Sequence, residues 1–360
     1  MPNSSAARAP RFTRRSLIAG LGATAAISAV SRIESAAAQG DGADWRQLAA
    51  NADAPSPRWD HTLAADDEGK QLILFGGRDG GGVPLADTWL FDRAEGGWTA
   101  IDTPGPEPRF GHVVSVDQTA RKLYLFGGES GDIFYNDSWV FDAEARTWTR
   151  IDTGDSPLPT PRYGLSAVLD SEGHLIISHG FTFEGRFDDT WSLDLASGIW
   201  TDISPGAGEA RPLKRCLHEA IWDGEAGRML LFGGCSSGFG PCPQGDLWSF
   251  DPETRDWTEI APAAAPSARS NPSLTYDRNR KQSILFGGLT DGGYGADLWL
   301  GKLDGDAFAW TELPGQETWP APRASHDAVM TAGALYLFGG ASDQGTFNDL
   351  WRLKLSDADS

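Results

Sequence analysis

Basic side chains are scarce in this chain: 30 lysines and arginines stand against 50 aspartates and glutamates, a net charge of −20. Nucleic-acid binding needs a basic footprint that displaces counterions, so phosphate backbones are excluded as the main partner. Long apolar runs are missing too. The one candidate, Leu17 to Val30, has 14 residues, whereas a bilayer span takes about 20. Three cysteines cannot build a disulfide framework, and one of Cys216, Cys235 and Cys242 must stay unpaired within the chain. Cys235 and Cys242 share a loop and form the expected bridge, although Cys216 could take either as its partner. Methionine occurs only three times, and no helical periodicity is sustained.

What is abundant is turn and sheet material: 44 glycines, 22 prolines and 15 tryptophans. The first 38 residues stand apart. Arg8, Arg11, Arg14 and Arg15 precede the apolar run, and Ala36-Ala37-Ala38 follows it, the order of a cleaved secretory leader. Thr13-Arg14-Arg15-Ser16-Leu17-Ile18 resembles the twin-arginine motif of substrates exported in the folded state. The expected address is therefore periplasmic or secreted, with no membrane insertion after signal cleavage. Without residues 1–38 the balance becomes 25 basic to 49 acidic side chains, a net charge of −24.

The remainder is repetitive. Asp-x-Trp recurs at Trp89, Trp139, Trp191, Trp248, Trp299 and Trp351, spaced by 50, 52, 57, 51 and 52 residues. A second tryptophan follows nine residues later at Trp98, Trp148, Trp200 and Trp257, and eleven later at Trp310. The last repeat lacks one, and Trp45-Arg46-Gln47-Leu48 matches the missing segment, which predicts that a strand from the N-terminal side completes the final unit. Five of the six units also carry a doubly apolar strand ending in Gly-Gly, such as Leu123 to Gly128, the pattern of a sheet covered on both faces.

Arg-x-x-His, the glycine doublet, Asp-x-Trp and the spaced second tryptophan resemble the Kelch repeat, over essentially all of 43–355. The resemblance implies an all-β, six-bladed propeller whose ring is closed by the strand around Trp45. Together with the N-terminal pattern, three segments are expected: a leader over 1–38, one propeller over 39–355 and a tail over 356–360. Kelch propellers usually bind ligands at one mouth of the central channel. By matching positions, Arg58, Arg109, Arg162, Arg215, Arg269 and Arg323 approach that axis, and a ring of guanidiniums would trap anions. The same arginines, as repeat consensus, also suit a structural role on loop carbonyls or the repeat aspartate.

The expected site comprises that ring together with Glu184 and Arg186, in the third repeat, where His179-Gly180 replaces the glycine doublet. The fourth repeat, with Cys216, His218 and the loop Cys235 to Pro243, also departs from the pattern. His61, His112, His218 and His326 recur with the repeat and read as structural. A copper or zinc site from Cys216, His218 and His179 is chemically permissible; a disulfide-stiffened loop beside a buried thiol accounts for the same cysteines and is the preferred reading, so no metal ligands are assigned and the cofactor stays open. Two functions follow from the family. One is a binding module for a protein partner, glycan or small anionic ligand. The other is a periplasmic enzyme at the same mouth, such as a sialic-acid-mutarotase-like sugar epimerase using Arg215 and Glu219, or a metal-dependent enzyme. The Glu-x-x-x-Asp-x-x-x-His pattern of iron-dependent specifier proteins is matched by Glu184 and Asp188 but broken by Ser192.

Overall fold

The computed structural model describes residues 43–48, 53–305 and 307–356. The expected leader therefore lies outside the described residues. Within them every regular element is a strand, and no helix is long and apolar enough to cross a membrane. Most of the strands build six four-stranded antiparallel sheets, five of them simple meanders, in a β-propeller architecture. The first comprises Thr62–Asp66, Gln71–Phe75, Thr88–Asp92 and Gly97–Ile101. In the sixth, Asp327–Thr331, Ala334–Phe338 and Leu350–Lys354 are joined by Asp44–Leu48, with Trp45 opposite Leu353. Innermost strands touch their neighbours in succession, and Thr62–Asp66 also touches Asp327–Thr331.

The two tryptophans of each unit have different tasks. The first, in the third strand, donates its indole N–H to the aspartate two residues earlier, at 2.7 Å for Trp89 on Asp87 and 2.6 Å for Trp351 on Asp349. The second lies against the phenylalanine preceding the glycine doublet of an adjacent sheet: Trp98 on Phe338, Trp148 on Phe75, Trp200 on Phe126 and Trp310 on Phe232. Trp45 completes the series against Phe286, and it is 2 % exposed. Large aromatic rings suit this position because it must be filled by one side chain reaching between two sheets.

The irregular spacing at Trp310 has a local cause. Its hairpin, Leu298–Asp304 to Ala307–Leu313, is longer than its counterparts, so Trp310 still opposes the residue two beyond the first tryptophan, as Trp98 opposes Phe91. That residue is Gly301, where a Cβ would fall 2.5 Å from Phe308. Phe308 thus occupies the volume that Phe91 fills in the first sheet.

At the start of the innermost strands, one residue per repeat adopts a left-handed backbone: Asp60, Gly111, Gly164, Leu217, Asn271 and Ser325. Their amides and carbonyls form a cycle. Gly111 donates to Asp60, Gly164 to Gly111, Leu217 to Gly164, Asn271 to Leu217, Ser325 to Asn271 and Asp60 to Ser325, at 2.7 to 3.0 Å. Such groups would otherwise face a narrow channel with few partners, and each unmade bond would carry a desolvation cost. The glycine doublets serve the same tight geometry. A Cβ on Gly77 would lie 2.7 Å from the Cβ of His61, and one on Gly76 would lie 2.8 Å from the carbonyl oxygen of Arg109.

Candidate functional site

The meander puts two kinds of connection at one end of the channel: those between second and third strands, and those leading into the next innermost strand. This end, the mouth, holds the consensus arginines. Each arginine is completely buried. Arg58 donates to both carboxylate oxygens of Asp87 at 2.6 and 2.7 Å, to the Gly76 carbonyl, and to the carbonyl and hydroxyl of Ser56. All five of its N–H groups are thereby engaged.

Arg269 repeats this with Asp297, Gly287 and Ser267. Arg109, Arg162, Arg215 and Arg323 likewise fork onto Asp137, Asp189, Asp246 and Asp349, and each donates to a carbonyl in or beside the doublet. Burial pushes the carboxyls of Asp87, Asp137, Asp189, Asp246 and Asp297 up, but the arginine forks and indoles outweigh it and hold them below the usual range.

The expectation of an anion-trapping ring is therefore corrected: these guanidiniums are internal staples, already neutralised by the repeat aspartates. Arg215, the arginine expected in a mutarotase-like site, donates to both carboxylate oxygens of Asp246 at 2.7 Å. Glu184 is exposed at a hairpin tip, and Ser192 lies inside the strand Thr190–Asp194 opposite Ile176. Arg186 does reach the mouth surface, donating to the Ser237 carbonyl at 2.6 Å and lying 5.3 Å from the Phe181 ring.

The histidines cross-link neighbouring sheets. His112 bonds to Thr62 at 3.0 Å, His218 to Ser166 at 2.8 Å and His326 to Ser273 at 3.0 Å. His61 packs edge-on against Phe338, and burial pushes its imidazole down to about 3. His179 has a packing explanation. In the third repeat Ser178 stands where other repeats have phenylalanine, and Trp257 packs on the His179 ring instead, 5.8 Å away. Among the described residues, one group of three potential metal ligands lies within reach of an ion: Asp170, Glu172 and His174. It forms a capped turn at the opposite end, with Asp170 accepting from the amides of Glu172 and His174.

Sequence reasoning missed two features of the mouth. Arg78 stacks between Trp59 and Phe110, 3.5 and 4.1 Å from the ring centroids, and pairs with Asp60 at 2.7 Å. Glu129 lies close by, its carboxyl pushed up to about 7 by burial. The second feature is the distribution of exposed apolar side chains. Among the described residues, Val83, Ile133, Phe183, Phe239 and Leu289 protrude from the connections between second and third strands of five sheets. Leu158 and Leu213 protrude from the other connections at this end, and among the described residues Ile199 is the sole counterpart at the far end. Phe134, Tyr163, Phe181 and Phe183 form a chain of ring contacts, 4.8 to 6.4 Å between centroids, that leads to the Phe183 tip.

Inside the ring a cavity of about 240 Å³ is lined by the innermost strands, including Glu219 and Asp327. Asp327 accepts from the amides of Leu63 and Ala328 at 2.6 and 2.7 Å, and burial still pushes its carboxyl up to about 7. Burial raises Glu219 well above the usual range, and the charge of Asp327 adds to the shift.

A family described as the KLHDC2/KLHL20/DRC7 Kelch-repeats domain matches residues 37–234 and 205–359. Kelch domain-containing protein 10 of Rattus norvegicus is 29% identical over 306 residues, covering 79% of this chain and 72% of that protein. Its Homo sapiens counterpart is also 29% identical, with 66% of its length covered. The leucine-zipper-like transcriptional regulator 1 homolog of Drosophila melanogaster is 25% identical over 317 residues, 82% of this chain and 31% of that protein.

Proposed function

The chain belongs to the Kelch-repeat family, and from that premise we propose that it is an exported six-bladed propeller that binds a protein segment on the apolar rim of its mouth. The observation that carries this reading is the concentration of exposed Val83, Ile133, Phe183, Phe239 and Leu289 on equivalent loops. Apolar side chains gathered at one end mark an interaction site more than scattered ones do. The stapled arginines leave no ring of free cations for a small anion or sugar acid, so the rim, not the axis, supplies the contacts. Export rests on the basic-apolar leader and fits a bridge between Cys235 and Cys242, since disulfides persist in oxidising compartments.

The test is a displayed library of random peptides selected on the wild-type protein. Phe183→Ser combined with Phe239→Ser is expected to weaken the selected peptides at least about tenfold, as for central interface anchors. Stability should change by no more than about 0.5 kcal/mol, because both tips are exposed. Undiminished affinity in the double variant would sink the rim as the site.

Closure of the ring by the Trp45 strand is part of the same proposal, supported by its pairing with Leu350–Lys354. Trp45→Ala should cost about 3–5 kcal/mol in denaturant melts, the range for a buried aromatic truncation. A loss below about 1 kcal/mol would mean that this strand does not hold the ring.

A further inference from the structure

In every repeat the residue after the consensus arginine faces the residue after the glycine doublet. Trp59 faces Arg78, Phe110 faces Glu129, Tyr163 faces Phe181, Ser270 faces Leu289 and Ala324 faces Ala341. In the fourth repeat both positions are cysteine. Cys216 donates its amide to Cys235 at 3.1 Å and accepts the Cys235 amide at 2.8 Å. In an antiparallel pair that exchanges both bonds, the Cα atoms are about 5.5 Å apart and the side chains leave on one face. That separation is within the range a disulfide spans.

Cys235 is already bridged to Cys242, and Cys216 is a buried free thiol. A third sulfur therefore lies beside a disulfide. Arg186 donates to Cys235 Sγ at 3.6 Å and holds the same loop through the Ser237 carbonyl. The two bridged sulfurs differ in access, since Cys235 is buried whereas Cys242 is exposed with the loop around Phe239.

We propose that Cys216, Cys235 and Cys242 form a thiol–disulfide exchange centre that moves the bridge from Cys235–Cys242 to Cys216–Cys235. Cys216 loses its proton and its sulfur attacks Cys235 Sγ. The Cys216–Cys235 bond forms, the Cys235–Cys242 bond breaks, and the electron pair leaves on Cys242, which takes up a proton. The number of disulfides is unchanged, so no oxidant or reductant is consumed. A buried thiol is thereby exchanged for an exposed one, and the loop from Ser236 to Pro241 is released from its clamp. Burial raises the Cys216 thiol above its ordinary range while Arg186 pulls it back, so the thiolate fraction is small and the attack on the observed Cys235–Cys242 bridge is slow. The consequence for ligands, a loosened Phe239 tip, rests on the rim reading; the exchange itself does not.

The test labels the non-reduced wild-type protein, dilute and folded, with N-ethylmaleimide over hours, followed by digestion without reduction and peptide mapping. Capture of exposed Cys242 drains the equilibrium, so a Cys216–Cys235 linked peptide with maleimide on Cys242 is expected in on the order of a tenth of the chains or more. Cys216→Ser should abolish Cys242 labelling, and Cys216→Ala serves if the serine variant does not fold. Retention of the Cys235–Cys242 peptide throughout, with label on Cys216 alone or nowhere, overturns the proposal. A protein that exchanges but selects no peptide overturns the rim reading alone, and one that selects peptides but never labels Cys242 overturns the exchange alone.

Discussion

The two ends of the channel use aspartate in opposite ways. At the mouth, Asp87, Asp137, Asp189, Asp246, Asp297 and Asp349 each receive an arginine fork and an indole, tying distant parts of a repeat together. At the far end, Asp92, Asp142, Asp194 and Asp251 accept amides two and three residues ahead within their own tight turns. The third-to-fourth-strand turns at the far end are short and satisfy their own amides, whereas the connections at the mouth are long and anchored at their bases. Anchored loops can carry apolar tips without losing their place. Variation that would disturb a tight turn is thus tolerated at the mouth, where function can be placed on a rigid frame.

The largest expected contrast comes from removing one aspartate partner at each end. Arg109→Met leaves Asp137, 14% exposed, without its fork and should cost about 3 kcal/mol, the lower part of the range for breaking a buried pair. Asp142→Ala removes only turn acceptors and should cost about 1 kcal/mol. Urea melts of the two variants read the difference. Equal losses would erase the distinction between stapled and self-capped aspartates, and an Arg109→Met variant of full stability that lost selected peptides would return the arginines to the binding site.

Much of this frame was legible in the residues alone. The tryptophan spacing fixed the repeat, and the absence of a sixth second tryptophan pointed to Trp45. The cysteine pair followed from loop sharing, although Cys216 remained open as a partner. What misled was the inference from position to purpose. An arginine near the axis carries two readings, ligand donor and structural bond to the repeat aspartate, and the choice turns on a partner 26 to 31 residues away across a hairpin. His179 misled for a related reason: its substitution compensates for Ser178 through Trp257, a contact between sheets. The rim was invisible because single exposed apolar residues are ordinary, and only the shared end of the fold gathers them.

The smallest effect tests whether the channel between the two ends is electrostatically neutral in its resting state. Buried His61, His112, His218 and His326 are held below the ordinary imidazole range by burial, with the consensus arginines adding to it. The unfolded chain therefore binds protons that the folded one refuses, and stability falls as pH drops below about 6.5. Glu219 and Asp327 act in the opposite sense. Their folded-state affinities for protons are raised, so their contribution is complete below the ordinary carboxyl range and is lost as pH rises through about 7 for Asp327. Glu219→Gln removes a carboxyl that the folded chain holds protonated well above the ordinary range and leaves Asp327 in place. Between pH 6 and 8 the wild type should lose about 1 kcal/mol more than the variant. Parallel stability curves for the two proteins across that interval would show that the folded channel does not hold the Glu219 proton more tightly than the unfolded chain does.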